Sequence, residues 1–175
     1  MIKNRKLNRL KTWDYSGCGC CFITICVAER WECFGEIKNN RMILNKYGKI
    51  VDRQINWVKN HFGNLRLGKY GVMPNHVHLI LKIDNLGRDN PRIVPTGLNE
   101  NYVYSRRHNT LSKIINALKT TSSKSIHLAG LKSFKWQRSF YDHIIKNEKE
   151  LEKIREYVAK NPKIWCRDRN FVGKS

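Results

Sequence analysis

The chain has 175 residues, with 34 Lys and Arg against 14 Asp and Glu, which gives a formal net charge of +20. The length suits one domain over residues 1–175 that buries its own core, and a hydrophobic content of 41% excludes a disordered basic tail. The sequence has neither a long apolar run nor a secretory signal, so we expect a cytoplasmic, nucleoid-associated protein that binds a polyanion, nucleic acid before membrane.

Hydrophobic periodicity and turn residues predict the secondary structure in chain order. The predicted elements are a basic lead-in at 1–12, a strand at 20–28, a hairpin at 34–45, a helix at 47–62, strands at 65–73 and 76–83, a long connection at 84–110, a helix at 111–127 and a helix at 147–161. Residues 134–145 are mixed and receive no element. This order predicts an α+β fold in which helices cover one face of an antiparallel sheet.

The six cysteines do not follow the spacing of a zinc site. Five of them lie between Cys18 and Cys33, and only Cys166 lies downstream. A zinc ribbon needs two spaced pairs, so we interpret these cysteines as small strand residues.

Two histidines lie two residues apart on the predicted strand at 76–83. Side chains at i and i+2 of a strand point to the same face, about 7 Å apart, so His76 and His78 could hold one divalent cation between them. Val77 would then point to the opposite face and join the core. A structural or solvated pair of histidines is the alternative.

A tyrosine and an asparagine share one face of the last predicted helix. Tyr157 and Asn161 stand at i and i+4, so their polar ends project together. The alternative is that Tyr157 is an interfacial aromatic residue and Asn161 is merely the residue before the helix-ending Pro162.

These two motifs together resemble one protein family. The run from Tyr70 to Leu81, which contains Met-Pro-Asn-His-Val-His, resembles the histidine segment of the REP-associated tyrosine transposases, relatives of the single-tyrosine HUH insertion-sequence transposases. Residues 136–145 and 157–162 are similar to the C-terminal half of that family, and 13–36 to its first strand and hairpin. The resemblance covers residues 8–165.

The resemblance implies a ferredoxin-like antiparallel sheet with the histidine motif on a central strand. It also implies a metal-dependent enzyme of DNA transposition that nicks and joins single-stranded DNA beside hairpins. Tyr157 would be the nucleophile that forms a 5′-phosphotyrosine. His76, His78 and Asn161 would hold Mg²⁺ or Mn²⁺. Insertion-sequence relatives act as dimers with the tyrosine in trans, whereas this branch is expected to be monomeric.

Several alternatives stay open at this point. Tyr141 is a competing nucleophile, and a hairpin-binding regulator without catalysis or a phosphodiesterase that uses water would keep the same fold. Basic residues are candidates for phosphate contacts, and two aromatic residues for base stacking, although each could equally serve the surface or the core. The candidates are Arg106, Arg107, Lys113, Lys119, Lys124, Lys135, Arg138, Trp136 and Tyr141.

Overall fold

A computed structural model describes residues 19–84 and 111–173 of the chain. In chain order the elements are β1 (Gly19–Cys26), β2 (Gly35–Lys38), β3 (Arg41–Leu44), α1 (Lys46–His61), β4 (Leu65–Val72), β5 (His76–Ile83), α2 (Leu111–Leu128), β6 (Tyr141–Ile145) and α3 (Glu148–Lys160). Short 3-10 helices follow β1 at Ala28–Arg30 and α3 at Asn161–Arg167.

The main sheet has four strands in the order β4-β5-β1-β6, and all neighbours are antiparallel. The sequence β1-α1-β4-β5-α2-β6 forms two interleaved β-α-β units, which is the ferredoxin-like arrangement. The predicted fold class is therefore confirmed, with the histidine strand β5 in the interior of the sheet.

The two faces of β5 meet different helices. Val77, Leu79 and Leu81 belong to the main core, in which Leu79 and Leu81 line a small cavity with Ile55 of α1 and Leu118 of α2. The alternate residues, which include His76 and His78, point to the other face, where α3 and the following 3-10 helix lie. Almost every residue of β5 is buried because both faces are covered.

Local sequence explains where most elements begin and turn. Asn45 and Asn147 cap α1 and α3, since their side-chain oxygens accept hydrogen bonds from backbone amides of the first turns. Asn39 and Asn40 both have positive φ, as a tight turn between β2 and β3 requires. The predicted hairpin and the predicted N-cap at Asn147 are thus present.

Two expectations about the architecture were wrong. Residues 141–145, which received no element, form the edge strand β6. The helices do not all cover one face, because α3 packs against the face opposite α1 and α2. α3 ends before Pro162, as predicted, and the chain continues as a 3-10 helix in which Pro162 occupies the first turn, where its missing amide costs nothing.

Several predictions fall outside the described residues. They are the lead-in at 1–12 and nearly all of the connection at 84–110, including Arg106 and Arg107. Within the described ranges, no helix combines the length and apolar character needed to cross a membrane.

Candidate metal and tyrosine site

The two histidines form a buried pair with their ring nitrogens facing each other. The side chains of His76 and His78 are 0% and 2% exposed, and their Nε2 atoms lie 2.9 Å apart. Burial lowers the pKa of His76 to about 4, and burial together with His76 lowers that of His78 to about 3. Both rings are therefore neutral at pH 7, which is the form that binds a cation.

Hydrogen bonds orient both rings from their far sides. Nδ1 of His76 lies 2.9 Å from Oδ1 of Asn75, and Nδ1 of His78 lies 2.9 Å from Oγ1 of Thr24. Thr24 reaches His78 because β1 pairs with β5 in a register that places these two residues side by side. Both Nε2 atoms consequently point into the same space.

α3 packs over Gly71, beside the histidines. Gly71 lies next to His78 on β4, and a Cβ placed there would be in ordinary van der Waals contact with a methyl group of Val158, at 3.4 Å. The residue before Val158, Tyr157, reaches His78, with 3.5 Å between its hydroxyl and Nε2. Phe22 packs face to face with the His78 ring and edge-on against Tyr157. The structure thus brings His76, His78 and Tyr157 together.

Asp168 belongs to the same cluster, although the sequence did not predict it. Its Oδ2 accepts hydrogen bonds from the Tyr157 hydroxyl at 2.8 Å and from Nδ2 of Asn161 at 2.7 Å. The 3-10 helix after α3 turns the chain back toward the sheet and delivers this carboxylate. The only signal in the sequence was a single acidic residue between Arg167 and Arg169, and nothing there indicates its position.

The hydrogen bonds at Asp168 determine which groups of the site are charged. Burial opposes ionisation of Asp168, but hydrogen bonds from Asn161, the Asn170 amide and Tyr157 outweigh it and hold the carboxyl pKa below its usual value. Burial, followed by the bond to Asp168, raises the pKa of Tyr157 above that of a free phenol. In the metal-free site the tyrosine is therefore a neutral hydrogen-bond donor and Asp168 is the anion.

The donor set fits a divalent cation. Donor atoms of His76, His78 and Asp168 all lie within 4.8 Å of one another. Oδ1 of Asn161 is buried beside them without a hydrogen-bond partner, which leaves an oxygen free for a ligand. Two imidazoles, a carboxylate and an amide oxygen suit transition metals and, less well, Mg²⁺.

Most of the predicted nucleic-acid contacts line one groove beside α2. The groove has a volume of about 650 Å³. It is lined by Lys119, Lys124, Lys135, Trp136 and Arg138, among other residues. Residues 134–138, which form one wall of the groove, lie beside the end of β1. The backbone amide of Gln137 donates to the Cys26 carbonyl, and Cys26 lies opposite His76 in the sheet. Groove and histidines therefore share one end of the sheet.

The side chains that line the groove differ in their exposure to solvent. Lys124, Lys135 and Arg138 are exposed. Lys119 is instead half-buried and donates to three successive carbonyls at 137–139. The Trp136 ring packs against Phe34 and Phe134, so its indole belongs mostly to the core.

Two further candidates lie away from this groove. Lys113 is an exposed residue of α2. Tyr141 lies on β6 next to Thr24, is 42% exposed, and has the guanidinium of Arg169 above its ring at 4.8 Å. Its side chain borders the site, whereas the Tyr157 hydroxyl is the one hydrogen-bonded within it.

Comparisons with known proteins bear on the family and the fold of the chain. No protein-family model matches the chain. An uncharacterized protein of Haemophilus influenzae is 30% identical over 172 residues, a match that covers 98% of this chain and 95% of that protein. A REP-associated tyrosine transposase solved with a REP hairpin bound aligns with a TM-score of 0.52 at 18% identity, over 99% of this chain and 93% of that one. The chain therefore belongs to the same family as the Haemophilus influenzae protein and has the fold of a REP-associated tyrosine transposase.

Proposed function

We propose that this protein is a metal-dependent single-stranded DNA endonuclease and strand transferase that forms a 5′-phosphotyrosine. The observation that carries the proposal is the placement of the Tyr157 hydroxyl, 3.5 Å from Nε2 of His78 and 2.8 Å from Asp168. A nucleophile, a cluster of metal ligands and a proton acceptor thus meet in one place. Each has a role in transesterification at phosphorus.

The protein side chains account for the bond changes. The Tyr157 oxygen bonds to phosphorus while the bond from phosphorus to the 3′ oxygen of DNA breaks. The phenol proton passes toward Asp168, its hydrogen-bond acceptor, and the departing oxygen takes a proton from solvent to become a 3′-hydroxyl. The phosphotyrosine keeps the free energy of the phosphodiester, so a 3′-hydroxyl can reverse the step and join strands.

A divalent cation would be held by His76 and His78, with Asp168 and Oδ1 of Asn161 as the oxygen donors. When bound, it supplies positive charge that polarises the scissile phosphate and favours the phenolate. We infer Mn²⁺ ahead of Mg²⁺, since imidazole ligands suit the softer ion. Asp168 thereby joins the ligand set predicted from the sequence.

We infer that the substrate is hairpin DNA with a single-stranded flank. The net charge of +20 and the basic groove favour a phosphate backbone, and the REP-associated tyrosine transposase of similar fold was solved with a REP hairpin bound. The groove and the histidines lie at one end of the sheet but on opposite faces, so a strand bound by both would pass around this end. Tyr141 and Arg169, at the border of the site, would then contact the nucleotides near the cut.

The proposal is tested by trapping the covalent adduct. Purified protein is mixed with labelled hairpin oligonucleotides from repeats of the source genome, with Mn²⁺, Mg²⁺ or EDTA, and run on a denaturing gel. We expect a shifted band that needs the metal and disappears in Tyr157→Phe. Tyr141→Phe is the matched control, because it also removes one hydroxyl next to the sheet and should keep the band.

Other outcomes would identify another activity. Cleavage without an adduct would indicate a phosphodiesterase that uses water, and loss of the band only in Tyr141→Phe would move the nucleophile to β6. Tight hairpin binding that needs neither metal nor Tyr157, with no cleavage, would contradict catalysis and favour a regulator.

A further inference from the structure

The amide of Asn75 is fixed in one orientation by the groups around it. Asn75 is fully buried, and its Nδ2 lies 2.9 Å from two backbone carbonyls, those of Arg30 and Asn170. Carbonyls only accept hydrogen bonds, so the side-chain nitrogen must face them. The oxygen of Asn75 consequently faces Nδ1 of His76, at 2.9 Å.

This orientation determines the tautomer of His76. An amide oxygen cannot donate, so Nδ1 of His76 carries the hydrogen and its Nε2 holds a lone pair. Nε2 of His78 lies 2.9 Å from Nε2 of His76. It therefore carries a hydrogen and donates it to the lone pair of His76. In the metal-free chain, Nδ1 of His78 is then an acceptor for the Thr24 hydroxyl.

The backbone around Asn75 is built to keep this arrangement. Glu29 and Arg30, both non-glycine residues, adopt φ near 55°, a left-handed conformation that costs free energy. That turn presents the Arg30 carbonyl to Asn75, and the Arg30 guanidinium donates to the Arg169 carbonyl at 2.7 Å. The turn after β1 and the segment at 168–170 therefore hold Asn75 from two sides.

Thr24 differs from Asn75 because a hydroxyl can both donate and accept. A cation shared by the two Nε2 atoms needs a lone pair on each, so the His78 hydrogen has to sit on Nδ1 instead. The Thr24 oxygen can accept it there. His76 therefore already has the tautomer that binds a cation, whereas His78 must change its tautomer.

We propose that Asn75 is a positioning residue that holds His76 ready for a cation, and that Thr24 permits the change of tautomer at His78 on cation binding. The proposal rests on the metal-dependent function proposed above. It adds that metal affinity depends on two side chains that do not themselves contact the ion.

The test combines tautomers with affinity. Long-range ¹H–¹⁵N NMR of the full chain, labelled at histidine, reports which nitrogen carries the hydrogen, first with EDTA and then with Zn²⁺ as a diamagnetic probe. We expect hydrogen on Nδ1 of His76 throughout, and on Nε2 of His78 only without metal. Calorimetry with Mn²⁺ should show a Kd raised about 10–100-fold in Asn75→Ala and Thr24→Val, but nearly unchanged in Thr24→Ser.

Asn45→Ala is the control for simple destabilisation. It removes a side chain whose hydrogen bonds go to the first turn of α1 and to the Cys33 carbonyl, rather than to a histidine, Asn75 or Thr24. Equal loss of Mn²⁺ affinity in Asn45→Ala and Asn75→Ala would overturn the proposal, as would hydrogen on Nε2 of His76 in the wild type. If Asn75→Ala does not fold, the comparison of Mn²⁺ affinity between Thr24→Val and Thr24→Ser still tests the proposed role of Thr24. Wild-type protein that shows the expected metal-free tautomers but binds neither ion would instead contradict the metal-dependent function.

Discussion

At the scale of single residues, the buried histidines make the stability of the metal-free protein depend on pH. The pKa values of His76 and His78, about 4 and about 3, lie below the ordinary histidine value of 6.5. At pH values between these folded-state pKa values and 6.5, the unfolded chain binds more protons at these two positions than the folded chain does. Acidification through this range therefore favours unfolding.

We expect the free energy of unfolding in EDTA to fall by about 2–4 kcal/mol between pH 7 and pH 5. Urea unfolding at both pH values checks this. His76→Gln with His78→Gln should flatten the pH dependence, whatever the stability of this double variant at pH 7. An equally steep slope in the double variant would refute the assignment.

The residues of the site differ in how far the sequence could predict them. The shared faces of His76 with His78 and of Tyr157 with Asn161 were predictable, because side chains alternate along a strand and a helix turn has 3.6 residues, but their roles were predicted only from the family resemblance. Asp168 and Asn75 were not predictable, since their roles depend on a 3-10 turn and on carbonyls from distant segments. Local periodicity predicts which side chains share a face, but not which backbone groups come to meet them.

At the scale of elements, α2 and the segment at 134–138 form a groove in which two lysines of α2 have different roles. Lys119 joins the two walls through its three hydrogen bonds to carbonyls at 137–139, and burial lowers the pKa of its amine. Lys124, one turn further along α2, is exposed. One lysine thus maintains the shape of the groove, and the other contributes charge.

Variants at these two positions should therefore behave differently. Lys119→Met should lower the free energy of unfolding by about 1–3 kcal/mol and weaken hairpin binding at every salt concentration. Lys124→Gln should change stability by less than about 0.5 kcal/mol and reduce the salt dependence of hairpin binding by about one counterion. Urea unfolding and fluorescence anisotropy at several salt concentrations measure both effects. Hairpin affinity unchanged in both variants would place DNA on another surface.

The edge strand shows a limit of prediction at this scale. Residues 141–145 include Asp142 and His143, which break the alternation expected of a half-buried strand. They form β6 because β1 provides a pairing partner along one edge. The formation of β6 thus depends on tertiary pairing with β1. In contrast, β5 is apolar along most of its length and was predicted with its observed bounds.

At the scale of the whole molecule, one chain supplies every part of the site. Tyr157 on α3 meets His78 of its own sheet, because α3 packs on Gly71 and follows β6 after a two-residue connection. Trp165, in the 3-10 helix, packs at a tilt against the His76 ring and edge-on against Phe171 in the following segment. The active unit predicted by this packing is a single chain with its tyrosine in cis.

Mixing two inactive variants tests that arrangement. Tyr157→Phe keeps the histidines, and His78→Ala keeps the tyrosine, so a dimer that exchanges α3 between chains would assemble some complete sites from the mixture. For a cis site we expect no covalent DNA adduct from an equimolar mixture at any protein concentration, although the wild type at half the concentration remains active. Analytical ultracentrifugation with the hairpin bound should show one chain of 20.7 kDa per DNA. Adduct recovered on mixing would mean that the contact between Tyr157 and His78 forms between two chains during catalysis, with α3 detached from its own Gly71.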